Sequence, residues 1–113
     1  REPGKNGVSP EELEALLDAV AGLPGITVKG LMTMGPLTED HAVVRTCFTL
    51  TRRLFEEIRR RDVSGVSMEI LSMGMSDSWK IAIEEGATMV RIGTAIFGPR
   101  TYPPAEPPAA TER

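Results

Sequence analysis

The residue types that most often build a reactive centre are nearly missing from this chain, which has one cysteine, Cys47, and one histidine, His41. A single cysteine cannot form an internal disulfide, and it rules out a cysteine-rich zinc site within the chain. A reducing, cytoplasmic setting is therefore the expectation. A basic excess is missing as well. Thirteen Lys and Arg stand against sixteen Asp and Glu, for a net charge of -3, which argues against a nucleic-acid partner. No apolar run reaches the ~18 residues of a membrane span, so no membrane partner is expected. No charged-then-apolar signal segment opens the chain. An initiating methionine is absent too: the first residue is Arg1. That sets the expectation of a chain that begins inside something longer, or has been processed or cut.

What is present is one domain's worth of sequence. The chain has 113 residues, 41% of them hydrophobic, enough for one modest core. Val8 to Leu23 reads as a helix, with Ser9 as N-cap, Pro10 at the first helical position and Glu12 completing a capping box. Leu13, Leu16, Leu17, Val20 and Leu23 form its apolar stripe, and Gly22, Pro24 and Gly25 stop it. Ile26 to Met34 reads as a strand ended by Gly35-Pro36. Asp40 to Arg61 reads as a second helix, with Val44, Cys47, Phe48, Thr51, Leu54, Phe55 and Ile58 on one face. Arg59, Arg60 and Arg61 meet the negative end of its dipole. Ser67 to Ser72 is expected as a strand, about Ser78 to Glu85 as a short helix stopped by Gly86, and Met89 to Gly93 as the last strand. A short apolar turn, Thr94 to Phe97, follows. Residues 99–113, with Pro99, Pro103, Pro104, Pro107 and Pro108, read as a disordered tail. This alternation predicts about three parallel strands with crossover helices, too few to close an eight-stranded barrel.

Ligands of such α/β folds bind at the C-terminal ends of the strands. Two loops stand there. In Ser72-Met73-Gly74-Met75-Ser76, Gly74 allows a tight bend and Ser76 offers a hydroxyl beside the free N–H groups of a helix start, an anion-binding arrangement. In Arg91-Ile92-Gly93-Thr94, Gly93 permits close approach of a ligand and Thr94 adds a hydroxyl and an N–H. From spacing alone, Ser76 or Asp77 reads equally well as a plain N-cap, and Gly93 as a plain turn.

LSMGMS at 71–76, AI at 82–83, Gly86-Ala87-Thr88 and VRIGTAIFG at 90–98, with Lys5-Asn6-Gly7-Val8 and Gly30-Leu31-Met32-Thr33-Met34, resemble the signature of the pyridoxal-phosphate (PLP) homeostasis family, YggS/PROSC. These motifs run from about residue 5 to residue 100. The resemblance implies an α/β fold, the C-terminal part of a PLP-binding (β/α)8 TIM barrel like the N-terminal domain of alanine racemases, over residues 1–98. It implies PLP as cofactor and a carrier or buffer role without catalysis, with no catalytic residue and no metal. It also implies that Ser76, Gly93 and Thr94 hold the PLP phosphate, with Met73 and Gly74 beside it, and that Arg91 faces the pyridine nitrogen. Arginine is a permanent donor, so a ring nitrogen facing it stays unprotonated and PLP becomes a poorer electron sink. The alternative for Arg91 is a salt bridge inside the barrel.

Two departures from the family pattern stand out. The family commonly has an aspartate two places after the final serine of SMGMS. Here Asp77 follows Ser76 directly and Ser78 takes the second place, so the cap is expected to shift by one residue. The family's Schiff-base lysine lies on the first barrel strand, in a segment this chain lacks. Lys5, Lys29 and Lys80 read as solvated or structural charges, His41 as a surface residue, Cys47 as core, Trp79 as packing its helix on the sheet, and Tyr102 as non-catalytic. A full-length form is expected to be monomeric, and the fragment to self-associate. The competing readings are a fragment of a PLP-dependent racemase-type enzyme and a truncated product without a function of its own. The racemases append a second domain bearing a catalytic tyrosine, where this chain has a proline-rich tail. Mixing the chain with PLP and reducing with borohydride is expected to leave no lysine specifically modified. Stoichiometric labelling of one lysine, located by peptide mass mapping, would contradict the assignment.

Overall fold

The computed structural model describes residues 7–99. Lys5 and Asn6, Tyr102 and the tail beyond Pro99 lie outside the described residues.

The architecture follows from one long amphipathic helix. It is α2, His41–Arg61; Asp40 caps it, its carboxylate accepting the Ala42 N–H at 3.0 Å. Val44, Phe48, Phe55 and Ile58 fall on one face at helical spacing and are buried. Arg59, Arg60 and Arg61 occupy the last turn, and Asp62 ends the helix in the left-handed conformation, φ 52°, which Asp tolerates better than most residues. The helix is the crossover between β1, Val28–Met32, and β2, Val66–Ser72, which pair in parallel, as strands joined this way must. Leu31 stands opposite Leu71 and Gly30 opposite Ile70. Any side chain at position 30 would run into the Ile70 carbonyl, so the close approach of the two backbones requires glycine there.

α1, Pro10–Ala21, joins the same core through Leu17, and α3, Trp79–Glu84, packs against α2 and joins it through Ala82. The core is Leu17, Val44, Phe48, Phe55, Ile58, Met68, Leu71, Met73 and Ala82. Each large apolar side chain so buried contributes about 1.5–3 kcal/mol. Arg59 fastens the end of α2 to β2 by donating to the Met68 carbonyl at 2.9 Å, while its guanidinium lies 5.1 Å from the Phe55 ring centroid.

Several sequence expectations shift in detail. The third strand reduces to one bridge, Ser72 with Met89, so the sheet has two strands rather than three. The Met89 N–H donates to Leu71 and the Met89 carbonyl accepts from Met73, as a parallel ladder requires. The next donor, Arg91 N–H, reaches Gly74 rather than Met73. Gly74 has φ 104°, and its bend inserts one extra residue that ends the ladder. Around α1, the Ser9 hydroxyl bonds the Glu12 carboxylate at 2.9 Å instead of a first-turn N–H, so neither bond of the expected capping box is made. Leu16 and Leu23 of its predicted stripe stay exposed. Cys47 is partly buried at the edge of the core. Trp79 is half-buried, and Ala82 makes the α3 contact expected of it. His41 is exposed, as expected. The last apolar turn is a single helical turn, α4, Thr94–Phe97.

Phe48 is fully buried and Val43, on the same helix, is 46% exposed. Phe48→Ala should cost about 3–5 kcal/mol, and Val43→Ala should stay within about 0.5 kcal/mol. Denaturant midpoints for the two variants check this; equal shifts would contradict the burial pattern.

Candidate functional site

The two loops expected to carry the chemistry meet in the structure. The first leaves β2 through Ser72 and Met73, both buried. Gly74 then turns the chain. A β-carbon there would stand 2.6 Å from Ala82 Cβ and 3.2 Å from both Trp79 Cα and Val90 Cγ1, so glycine is required by conformation and by space alike. Met75 to Ser78 form a turn closed by the Ser78 N–H donating to the Met75 carbonyl at 3.1 Å. Ser76 projects from that turn, and its Oγ accepts the Ala95 N–H at 3.0 Å. That bond ties the first loop to the second.

The N-cap of α3 is Ser78. Ser76 and Asp77 therefore do not cap it, and the expected one-residue shift of the cap does not occur: the position two after Ser76 holds it. A hydroxyl has one proton and two lone pairs. With Ala95 using a lone pair of Ser76, the proton remains available to a further acceptor.

The second loop is open. Gly93, Thr94 and Arg91 are exposed. Gly93 is the N-cap of α4 with φ -119°, a conformation any residue adopts, and a β-carbon placed on it meets no atom of the described residues within 4 Å. Neither strain nor crowding explains that glycine; beside it lies unfilled space. Among the described residues, no acceptor meets the Gly93 or Thr94 N–H or the Thr94 hydroxyl. The Arg91 guanidinium reaches the Met32 sulfur at 3.5 Å, and no described carboxylate lies within ion-pair distance of it, so the interior salt bridge is not formed there.

The structure thus brings Ser76, Gly93 and Thr94 to one place and ties Arg91 to Gly74 through the backbone. Met73 it places elsewhere: the side chain has no exposed surface and belongs to the core. Gly74 is likewise buried and shapes the loop from within. Lys29 pairs with Glu69 at 3.3 Å, and the Lys80 ammonium lies 5.5 Å from the Trp79 ring centroid. One participant escaped the sequence reading. Ala95 contributes only its backbone N–H, which no residue identity announces.

A polar clamp from α2 sets the position of α3. Arg45 bonds both Glu84 and Glu85 at 2.6 Å, Thr49 donates to Glu85 at 2.8 Å, and Arg52 donates to the Gly86 carbonyl at 3.1 Å. The Thr49 hydroxyl, and after it the Arg45 guanidinium, hold the Glu85 carboxyl below the ordinary carboxylate range. Beneath them, Thr88 Oγ1 accepts the Leu71 N–H at 2.8 Å and steadies the end of β2.

Comparison with known proteins supplies a context for this geometry. The family model described as alanine racemase, N-terminal domain, matches residues 2–101. The chain is 46% identical over 101 residues to the pyridoxal phosphate homeostasis protein of Aquifex aeolicus, covering 89% of this chain and 43% of that protein. It is 43% identical over 101 residues to the protein of that name from Pseudomonas aeruginosa, covering 89% and 41%. The structure of PipY of Synechococcus elongatus with PLP bound superposes with a TM-score of 0.75 at 33% identity, covering 87% of this chain and 46% of that one. The chain therefore spans about two fifths of the length of the curated relatives it matches. These matches imply a TIM-barrel-like α/β fold, of which two parallel strands are formed here.

A carboxylate with a depressed folded-state pKa stabilises the fold above its ordinary value, and that stabilisation is lost as pH falls through the lowered one. Acidification should therefore loosen the clamp on α3. Glu85→Gln should lower the melting temperature at neutral pH and flatten the acid limb of stability against pH. Melting curves from neutral to acid pH for both proteins check this; an unchanged acid limb in the variant would remove Glu85 from the account.

Proposed function

The chain belongs to the alanine racemase N-terminal domain family, and from that premise we propose that it forms the phosphate-holding, C-terminal portion of a PLP-binding (β/α)8 barrel, over residues 1–98. Its role would be intracellular PLP homeostasis, binding and buffering the cofactor in the cytoplasm without turning over a substrate. The names of the curated relatives and the PLP bound in PipY support this reading. The observation that carries it is the Ser76 Oγ to Ala95 N–H bond, which joins the two loops beside the open space at Gly93.

The residues fit the phosphate end of PLP. Ser76 would donate its free proton to a phosphate oxygen. The Gly93 and Thr94 N–H groups and the Thr94 hydroxyl would donate to the others, and the missing side chain at Gly93 would leave room for the anion. Arg91 would face the pyridine nitrogen and keep it unprotonated, because a guanidinium donates and does not accept. PLP itself supplies a reactive aldehyde and an electron-withdrawing ring. The residues named here only hold and orient it, and neither described lysine is poised to react. Lys29 is committed to Glu69, and Lys80, which shares a cleft with Ser76, is drawn over Trp79.

Ser76→Ala removes one hydrogen bond to a charged acceptor, worth about 1.5–3 kcal/mol, or roughly 10- to 150-fold in PLP affinity. Gly93→Val should cost more, since its side chain fills the space the anion needs. Pyridoxal, which lacks the phosphate, should bind both variants as it binds the parent chain. Titrations of PLP and pyridoxal, with melting curves beside them, check this. If both variants bind PLP normally while folded, the phosphate does not lie between these loops.

A further inference from the structure

We propose that Ser78 is the positioning residue for Ser76, holding its hydroxyl at the phosphate site, an inference that rests on the reading of that site given above. Ser78 occupies the N-cap of α3 but makes no side-chain bond to that helix. Its Oγ turns backward and accepts the Met75 N–H at 3.1 Å, while its own N–H donates to the Met75 carbonyl at 3.1 Å. These two reciprocal bonds close the four-residue turn whose second residue is Ser76. The turn is held at its other end by the Gly74 carbonyl, which accepts the Arg91 N–H at 2.9 Å. Ser76 therefore sits between a fixed point on the second loop and a fixed point on α3. Its hydroxyl is delivered to Ala95 as a consequence.

The usual role of an N-cap serine is to satisfy a first-turn N–H of its helix. Here that role is vacant, and the hydroxyl serves the preceding turn instead. Its removal would leave α3 capped as it is now and would strip the part-buried Met75 N–H of its partner. The turn would then lose the constraint that aims Ser76. Ser78 need not touch the phosphate to govern its binding.

The test uses the full chain, isotopically labelled, with two readouts: hydrogen exchange at the Ala95 amide, and the amide shifts of Gly93 and Thr94 on titration with inorganic phosphate. Ser78→Ala should lower Ala95 protection and weaken phosphate binding about tenfold, the equivalent of ~1.4 kcal/mol. Ser78→Gly, which also lacks the acceptor but is tolerated at an N-cap, should do the same and covers the case in which the alanine variant fails to fold. Ser78→Thr restores the acceptor and should restore both readouts. A purely structural role predicts a lower melting temperature with both readouts unchanged in the folded protein. Ser76→Ala separates the two levels of the argument. If it abolishes the phosphate response while Ser78→Ala and Ser78→Gly leave Ala95 protection and phosphate binding at parent values, the positioning role is overturned and the site stands. If the parent chain shows no phosphate shift at Gly93 or Thr94, the site reading fails and the role of Ser78 in phosphate binding falls with it.

Discussion

The conformation of Gly74 is the constraint on which the site depends. Its positive φ, 104°, ends the ladder between the β2 end and the 89–91 segment. Without that bend Arg91 N–H would continue the register and bond Met73. With it, the chain lifts out of the sheet, and the Gly74 carbonyl takes the Arg91 bond instead. The absent side chain matters as much, because Ala82, Trp79 and Val90 close on the position from three directions. A left-handed conformation costs an ordinary L-residue roughly 1–2 kcal/mol, and the contact with Ala82 Cβ would add overpacking strain of similar or larger size. One residue thus sets where the strand stops, where α3 can sit and where Ser76 emerges.

The remainder of the fold holds that bend in place. Phe48 and Phe55 bury one face of α2 against β1 and β2, and the rims of the helix reach across to α3 and Gly86. The two kinds of contact differ in worth. The buried rings supply most of the stability, since apolar burial is large and insensitive to salt. The exposed pairs of Arg45 with Glu84 and Glu85 add little to stability, but they determine the lateral position of α3. Because Ser78 begins α3, a polar clamp worth little in energy fixes where the turn that carries Ser76 lies.

How much of this was legible in the sequence depends on which physical effect governed each element. The apolar spacing of Val44, Phe48, Phe55 and Ile58 declared α2 in full, because a helix that buries one face writes a period of 3.6 into its sequence. The two strands and their parallel pairing followed from the crossover. The last strand was misjudged because its apolar residues satisfy any strand pattern, while its pairing is decided by the conformation of Gly74, eighteen residues before Ile92. At the site, Ser76, Gly93 and Thr94 were legible as a motif, and the structure gathers them. Met73 reads as a cofactor contact from its place in that motif, whereas its side chain is buried in the core, within the unbroken run of buried residues 71–74. Ala95 was illegible, since a backbone N–H carries no mark in the sequence.

The chemistry of the proposed site fits the chain's charge as well. With a net charge of -3, the protein does not draw anions by its overall field, and Asp77 stands exposed next to Ser76. The donors gathered here are hydroxyls and backbone N–H groups, which are neutral and fixed in direction. Such donors discriminate by geometry, since each is useful only to an oxygen placed along its axis. A cluster of lysines would instead attract any anion within a Debye length. Hydrogen bonds to a charged acceptor are worth about 1.5–3 kcal/mol each, so a few of them would give selective yet reversible retention of a phosphate, as the proposed buffer role requires. That economy works only if the donors are already in place when the anion arrives, because ordering them on binding would consume much of what each bond contributes. The Ser76 to Ala95 bond serves that condition: it is made between the two loops of the protein itself, so its cost in chain entropy is met on folding rather than on binding.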